Sequence, residues 1–265
     1  MGIIFLYGDL SDNFETTAAP FVKAAGGRSA RIALLLVDGT GWERYMRKYR
    51  DPLLHLGAAA VTPIISPETG GTIDDEAISA LMNCSGVFMG GGNTGKYHRA
   101  YVASKVGNII LSLHCSGIPF GGVSAGAILT TEICCVRRRT LTTPTGEDAR
   151  RAATKVNVAE EVVTAVHPGL GLLRGCLVEP HFRERGRFPL AIAAMEKTGV
   201  PLSLGIDEPV CLEVSDGNRV KVHGHGRAYV LRFLAPSRFE VSIWEPGDEF
   251  ELLARFNDQK GVEHG

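Results

Sequence analysis

The 265-residue sequence lacks an excess of charge of either sign. It carries 28 lysines and arginines against 29 aspartates and glutamates. A surface on which the charges nearly cancel has no overall field to attract a polyanion or an anionic bilayer. The composition therefore gives no reason to expect nucleic acid or a membrane as a partner.

A long apolar run and a basic leader are also missing from the first residues. The start reads MGIIFLYGD, without the positive charges of an export signal. Its apolar stretch is too short for a membrane span. We therefore interpret Ile3–Tyr7 as a first core strand and expect a cytoplasmic protein.

Paired cysteine motifs are absent as well. No two cysteines have Cys-x-x-Cys spacing, and most of the six lie inside apolar runs. Such cysteines are typical of reduced core residues rather than of disulfides or metal ligands. The six are Cys84, Cys115, Cys134, Cys135, Cys176 and Cys211.

In the first two thirds of the sequence, short apolar runs alternate with segments of helix length. Runs that are apolar throughout are typical of strands buried on both faces of a parallel sheet. The alternation predicts an α/β fold, a doubly wound and mostly parallel sheet flanked by helices. The predicted strands are Ile3–Tyr7, Arg31–Val37, Val61–Ile65, Gly86–Met89 and Ile118–Val123, and the predicted helices are Gly41–Leu56, Asp74–Met82 and Gly95–Cys115.

The last quarter has a different pattern. Short β-rich runs are separated by Gly, Asn, Asp and Pro, which are turn signals. They predict an antiparallel β extension over residues 209–256, within a single domain of residues 1–265. Its strands are Val210–Val214, Val220–Val222, Ala228–Phe233 and Glu240–Trp244. Between the two parts, Arg137–Ala159 is rich in charge, Thr and Gly and is predicted to be a mobile loop near the site.

A serine between small residues ends one of the predicted strands. Gly122, Ser124 and Gly126 have the Gly-x-Ser-x-Gly spacing of a nucleophile elbow, in which glycines remove side chains that would clash at a sharp turn. The helix that follows would aim its first N–H groups at an anion formed during attack. The pattern predicts Ser124 as a nucleophile.

A glycine-rich turn follows the predicted strand Gly86–Met89. Residues 90–94 read GGGNT, which lets backbone N–H groups approach a substrate closely, while Asn93 offers a carbonyl and an amine. The turn lacks the Lys-Ser/Thr ending of a phosphate loop and the spacing of a dinucleotide fingerprint. It is interpreted as a source of oxyanion donors.

A serine nucleophile needs a base and a group that orients the base. His181 follows an apolar strand and is the first choice, with His167 as the second. Asp207 and Glu208 both follow a later strand, and because side chains alternate along a strand they point opposite ways. Residues alone leave the choice between these two acids open.

In this order, the motifs resemble the peptidase E and cyanophycinase family of serine peptidases, which has a class I glutamine-amidotransferase-like, flavodoxin-like fold. An α/β-hydrolase would place its acid between serine and histidine, and an amidotransferase-type glutaminase would have cysteine at the elbow. The matching segments are residues 90–93 (GGGN), 122–127 (GVSAGA), 169–173 (GLGLL), 180–182 (PHF) and 205–208 (GIDE).

The resemblance implies a role for each matched residue. Ser124 would be the nucleophile, His181 the general base and Glu208 the orienting acid. Oxyanion donors would come from Gly91 or Gly92 and from the N–H of Ala125. It also implies that no metal or organic cofactor is needed and that the protein forms a homodimer.

Substrate recognition is predicted from the arginines that follow the histidine. Arg183, Arg185 and Arg187 alternate after the histidine, and planar guanidinium groups clamp carboxylates. Cyanophycinases have a similar arginine cluster after His-Phe, which Arg185 and Arg187 match. Departures from that pattern are Phe188-Pro189-Leu190 in place of a further arginine, Glu179-Pro180 in place of Asp-Gln, and Asn93 in place of Gln. The GGGN and PHF segments are closer to peptidase E.

We therefore expect a small aspartyl peptide or isopeptide as substrate, bound by Asn93, Glu179, Arg185 and Arg187. The alternative is a non-catalytic member of the fold that binds a small acidic ligand or peptide. Loss of the serine, the histidine or the acid would favour that alternative, and all three are present.

Overall fold

Five parallel strands form the centre of the structure, a computed structural model that describes residues 1–39, 41–66, 73–140, 160–235 and 238–252. The strands are β1 (Ile4–Tyr7), β2 (Arg31–Val37), β3 (Ala60–Ser66), β4 (Gly86–Met89) and β5 (Phe120–Val123). They lie side by side in the order β1-β5-β4-β2-β3. The α/β class with a large, mostly parallel sheet is confirmed.

Both faces of these strands are covered, which explains their continuous apolar sequences. Along β1, Phe5 and Tyr7 pack into one core cluster while Ile4 and Leu6 pack into the other. Helices α1 (Phe14–Ala24) and α2 (Trp42–His55) supply residues to the first cluster. Helices α3 (Asp75–Met82) and α5 (Lys105–Cys115) supply residues to the second.

Two helices differ from the sequence prediction. The predicted helix Gly95–Cys115 is divided into α4 (Thr94–Tyr97), a π turn at His98–Val102 and α5, whose start is capped by Ser104. Helix α1 was not predicted. None of the helices in the described ranges is long and apolar enough to cross a membrane.

The antiparallel extension is divided between two sheets. Strands β10 (Val210–Ser215), β11 (Arg219–Gly224) and β14 (Glu249–Glu251) continue the central sheet beyond β1. Strands β12 (Ala228–Ala235) and β13 (Arg238–Trp244) instead join a second sheet, in the order β13-β12-β9-β8. This sheet is completed by β8 (Leu177–Pro180) and β9 (Leu202–Ile206), which are connected by α7 (Phe188–Thr198). The strand before His181 therefore lies outside the central sheet.

The predicted loop Arg137–Ala159 is wrong for its first residues. Residues 137–140 belong to β6 (Ile133–Thr140), which pairs antiparallel with β7 (Glu160–Pro168). Residues 141–159 lie outside the described residues, as do residues 253–256 of the predicted extension.

The short helix α6 (Ala125–Ile128) packs directly on the ends of two strands. A Cβ added to Gly122 would lie 2.6 Å from the carbonyl of Gly126, and one added to Gly126 would lie 2.5 Å from the carbonyl oxygen of Met89. Real side chains do not tolerate such distances to backbone atoms. The two glycines of the elbow are thus required by packing between backbones.

Replacing Gly126 by alanine should destabilise the fold by about 1–3 kcal/mol, because the methyl group forces α6 away from β4. Gly39→Ala is the control, since its Cβ would meet nothing within 4 Å in the described structure and its φ is not positive. We expect a change within about 0.5 kcal/mol there. Chemical denaturation of both variants checks this, and equal stabilities would contradict the packing argument.

Candidate active site

Ser124 occupies the turn between β5 and α6 in a strained backbone conformation. Its φ is 51° and its ψ is −105°, a combination that a residue with a side chain rarely adopts. Two hydrogen bonds hold it there: the Ser124 N–H donates to the Tyr7 carbonyl over 3.0 Å, and the Ile128 N–H donates to the Ser124 carbonyl over 3.0 Å. The geometry is that of a nucleophile elbow.

A chain of hydrogen bonds links Ser124 to a histidine and a carboxylate. The Oγ of Ser124 lies 2.8 Å from Nε2 of His181, and Nδ1 of His181 lies 2.8 Å from Oε1 of Glu208. His181 is only 2% exposed, whereas Glu208 is about one-third exposed. A carboxylate that accepts from Nδ1–H leaves Nε2 free to accept from the serine.

The structure gives different environments to Asp207 and Glu208, the two acids between which the sequence motifs did not decide. Asp207 is fully buried and accepts the N–H groups of Arg183 and Arg227, each over 3.1 Å. Burial raises its pKa, although these hydrogen bonds act in the opposite direction. Glu208 points the other way, toward His181. Of these two acids, Glu208 contacts the imidazole, whereas Asp207 joins backbone segments.

Asp9 is a further carboxylate beside His181, and the sequence reasoning did not identify it. Its Oδ2 lies 3.7 Å from Nδ1 of His181, and its N–H donates to the Glu208 carbonyl over 3.2 Å. Gly8 permits this approach, since a Cβ there would lie 2.0 Å from the carbonyl oxygen of Asp207. The signal was available, because Asp9 follows the carboxyl end of a parallel strand, where such sites form.

Asp9, His181 and Glu208 also form a group with ligand atoms within 4.8 Å of one another. Such a group has the donors for a cation. The histidine atom nearest the two carboxylates is Nδ1, which already contacts Glu208. A cation bound through that atom would remove the Nδ1–H that orients the imidazole. These three residues therefore cannot bind a cation through Nδ1 and orient the imidazole through Nδ1–H at the same time.

The glycine-rich turn lies against Ser124. A Cβ added to Gly91 would stand 3.1 Å from Cβ of Ser124, and Gly92 has a φ of 149°, which favours glycine. The Gly91 N–H donates to the hydroxyl of Tyr49 over 2.8 Å. Within the described structure, the N–H groups of Gly92 and of Ala125, the first residue of α6, donate to no other residue.

The space in front of these groups is a cleft of about 680 Å³. Ser124, His181 and the turn line it, together with residues of the N-terminal part of α2. Asn93 lines it, although its Oδ1 is occupied in capping α4 through the N–H of Lys96. Charged side chains of both signs surround the cleft, namely Asp9, Asp38, Lys48, Lys96 and Arg185.

The three arginines after His181 have different environments. Arg185 lines the cleft. Arg183 is 62% exposed and contacts Glu184 and Asp207 outside it. Arg187 is buried and donates to the Pro180 carbonyl over 2.8 Å, the residue before His181. Glu179, the other predicted contact, is also buried. Substrate contact by Arg187 and Glu179 stays a prediction.

The remaining histidine candidates are engaged elsewhere. The ring of His167 packs at a tilt against that of His98, with the centroids 4.8 Å apart. His223 lies in β11, where its Nε2 is 2.7 Å from Oε2 of Glu213. Its imidazole therefore contacts Glu213 rather than Asp207.

Comparison with known proteins gives one family and several relatives. The model of peptidase family S51 matches residues 10–222. Cyanophycinases from Synechococcus elongatus and Thermosynechococcus vestitus are each 24% identical over 233 residues, which cover 87% of this chain and 68% of the relative.

Two solved structures share the fold. A peptidase from an acI-B1 Actinobacterium has a TM-score of 0.68 at 15% identity, covering 95% of this chain and 97% of that one. A protein assigned as a peptidase E from Listeria monocytogenes has a TM-score of 0.56 at 15% identity, covering 85% and 100%.

The family match includes the whole hydrogen-bonded chain, since Ser124, His181 and Glu208 all lie within the matched residues. It also includes both glycine motifs that place the serine. The chain thus belongs to peptidase family S51 and is a serine-type peptidase.

Proposed function

We propose that the protein hydrolyses peptide or isopeptide bonds of small aspartyl peptides, with Ser124 as nucleophile, His181 as general base and Glu208 as orienting acid. The observation that carries the proposal is the continuous contact from Ser124 Oγ through His181 to Glu208, with 2.8 Å at each step, at the base of an open cleft. Nucleophile, base and orienting group within hydrogen-bond reach are what acyl transfer requires.

The reaction begins when Nε2 of His181 takes the proton of Ser124 as Oγ attacks the carbonyl carbon. The positive charge that develops on the imidazole is stabilised by Glu208 through Nδ1–H. His181 then gives the proton to the departing amine, which leaves an acyl-serine. A water molecule repeats the attack and releases the acid.

The oxyanion formed in each attack would be held by backbone N–H groups near Ser124. Gly92 and Ala125 supply N–H groups that make no other hydrogen bond in the described structure. Their fixed positions at the turn mean that little reorganisation is needed during the reaction. Gly91 also lies against the serine, since a Cβ added to it would stand 3.1 Å from Cβ of Ser124, but its N–H donates to Tyr49.

An acidic substrate is supported by the charges at the cleft. Arg185 and Lys96 line it and attract a carboxylate. Asp9 and Asp38 line it as well, which suits a substrate that also carries a positive group, such as a peptide with a free amino terminus. The relatives named cyanophycinase and the structure assigned as peptidase E also support aspartyl peptides as the class.

Ser124→Ala should abolish turnover without unfolding the protein, because it removes a single hydroxyl at a turn. Amine release is measured for wild type and variant on cyanophycin, β-aspartyl-arginine, Asp-Xaa, isoAsp-Xaa and neutral dipeptides. Serine-dependent cleavage of an acidic substrate is the expected result.

A folded Ser124→Ala variant with wild-type activity would rule out this nucleophile. If folded wild type cleaves none of the panel, the proposed hydrolysis of aspartyl peptides is wrong and binding of an acidic peptide becomes the better account. Isothermal titration with the same peptides then measures that binding.

Glu208→Gln should lower kcat by roughly 100-fold or more, since the amide cannot stabilise the imidazolium as a carboxylate does. Asp207→Asn is the matched control at the adjacent position. It should leave kcat near wild type but lower the melting temperature, because one of two backbone N–H groups loses its acceptor. The reverse order of kcat values would transfer the orienting role to Asp207.

Arg185→Ala should raise KM for an acidic peptide by roughly 10- to 100-fold, the size expected for loss of a hydrogen bond to a charged group. Arg183→Ala is the control, because Arg183 lies two residues earlier, contacts Glu184 and Asp207, and does not line the cleft. We expect KM to stay unchanged there. Steady-state kinetics on acidic and neutral peptides distinguishes the two, and an equal effect on neutral peptides would argue against carboxylate recognition.

A further inference from the structure

The hydroxyl of Tyr49 accepts a hydrogen bond from one of the backbone amides beside the nucleophile. Tyr49 lies on α2, is only 3% exposed, and still reaches the cleft that contains Ser124. Its oxygen accepts the N–H of Gly91 over 2.8 Å. A phenol that accepts one hydrogen bond keeps its own proton to donate. Among the residues that the structure describes, none accepts that proton.

A gap separates this hydroxyl from the serine, and the absence of a side chain at Gly91 creates it. A Cβ at Gly91 would stand 3.1 Å from Cβ of Ser124, 3.3 Å from the Val123 carbonyl oxygen and 3.5 Å from the Tyr49 hydroxyl oxygen. The Ser124 side chain and the Tyr49 hydroxyl therefore lie on the same side of the Gly91 backbone, with no side chain of Gly91 between them. The oxygen of a carbonyl group that Ser124 attacks can enter this space and reach the phenol.

The ring of Tyr49 is held firmly. It packs edge-on to Phe14 with the centroids 6.2 Å apart, and tilted against Phe88 with the centroids 6.0 Å apart. Burial raises the pKa of Tyr49 well above its ordinary value, so the phenol stays protonated. The hydrogen bond from Gly91 polarises the hydroxyl further and makes it a stronger donor. A fixed, neutral donor is what stabilises developing negative charge.

We propose that Tyr49 is a catalytic residue that donates its O–H to the oxyanion, in place of the Gly91 amide and together with Gly92 and Ala125. This inference rests on the proposed function of Ser124. As Oγ bonds to the carbonyl carbon, the π electron pair moves to the oxygen and the serine proton goes to His181. Tyr49 keeps its proton throughout and contributes only a hydrogen bond.

The test is the rate at which a fluorophosphonate modifies Ser124, followed by intact mass. In this reaction Oγ bonds to phosphorus, fluoride leaves, and the phosphoryl oxygen takes the position of the oxyanion. Ser124→Ala establishes the site of modification. Tyr49→Phe should react roughly 100-fold more slowly, the usual effect of removing one oxyanion donor.

Tyr101→Phe is the matched control, since it removes a buried phenol that donates to the carbonyls of Leu36 and Ile64 rather than into the cleft. It should lower thermal stability and leave the modification rate unchanged. Wild-type reactivity in a folded Tyr49→Phe variant would overturn the proposal. No serine-dependent modification of wild type would instead remove Ser124 as nucleophile, and with it the role of Tyr49.

A second variant serves if Tyr49→Phe does not fold. Gly91→Ala places a methyl group in the gap between the serine and the phenol, 3.1 Å from Cβ of Ser124 and 3.5 Å from the Tyr49 hydroxyl oxygen. It should slow modification as well, because the oxyanion can no longer enter. Modification at the wild-type rate would show that the gap is not used and would overturn the inference.

Discussion

The contact of backbone on backbone at Gly122, Gly126 and Met89 is the constraint on which the site depends. It brings the start of α6 against the ends of β4 and β5 and leaves Ser124 in a strained turn. A strained conformation persists only where its surroundings determine it. Here the packing on both faces of the sheet holds Ser124 in its strained conformation. The strands around the serine are accordingly buried throughout.

The site also depends on the junction between two sheets. Ser124 follows a strand of the central sheet, whereas His181 follows β8 of the second. Gly8 and Asp9 at the end of β1 bond to the backbone near Glu208 and join the two parts. Buried Asp207 strengthens this junction by accepting N–H groups from Arg183 and Arg227. Asp207, whose carboxylate binds backbone N–H groups, is thus adjacent in the chain to Glu208, whose carboxylate contacts the histidine.

The sequence predicted much of this because its signals are local. Continuous apolar runs identified the parallel strands, and strand ends identified Ser124, His181 and the acid pair. The π turn at His98–Val102 and the division of the last strands between two sheets were missed. Both are set by contacts between distant segments, and local propensity carries no record of such contacts.

By itself, the sequence determined the α/β class, the serine at the elbow, and the chain order in which serine, histidine and carboxylate follow one another. The family resemblance already favoured Glu208 over Asp207, but only the tertiary structure shows that the Glu208 carboxylate meets His181. It alone also distinguishes Arg185, which lines the cleft, from Arg183 and Arg187. It also revealed Asp9 and Tyr49, which are 115 and 75 positions before Ser124 in the chain. The physical reason is that side-chain direction and long-range approach depend on how the two sheets pack, which no short motif contains.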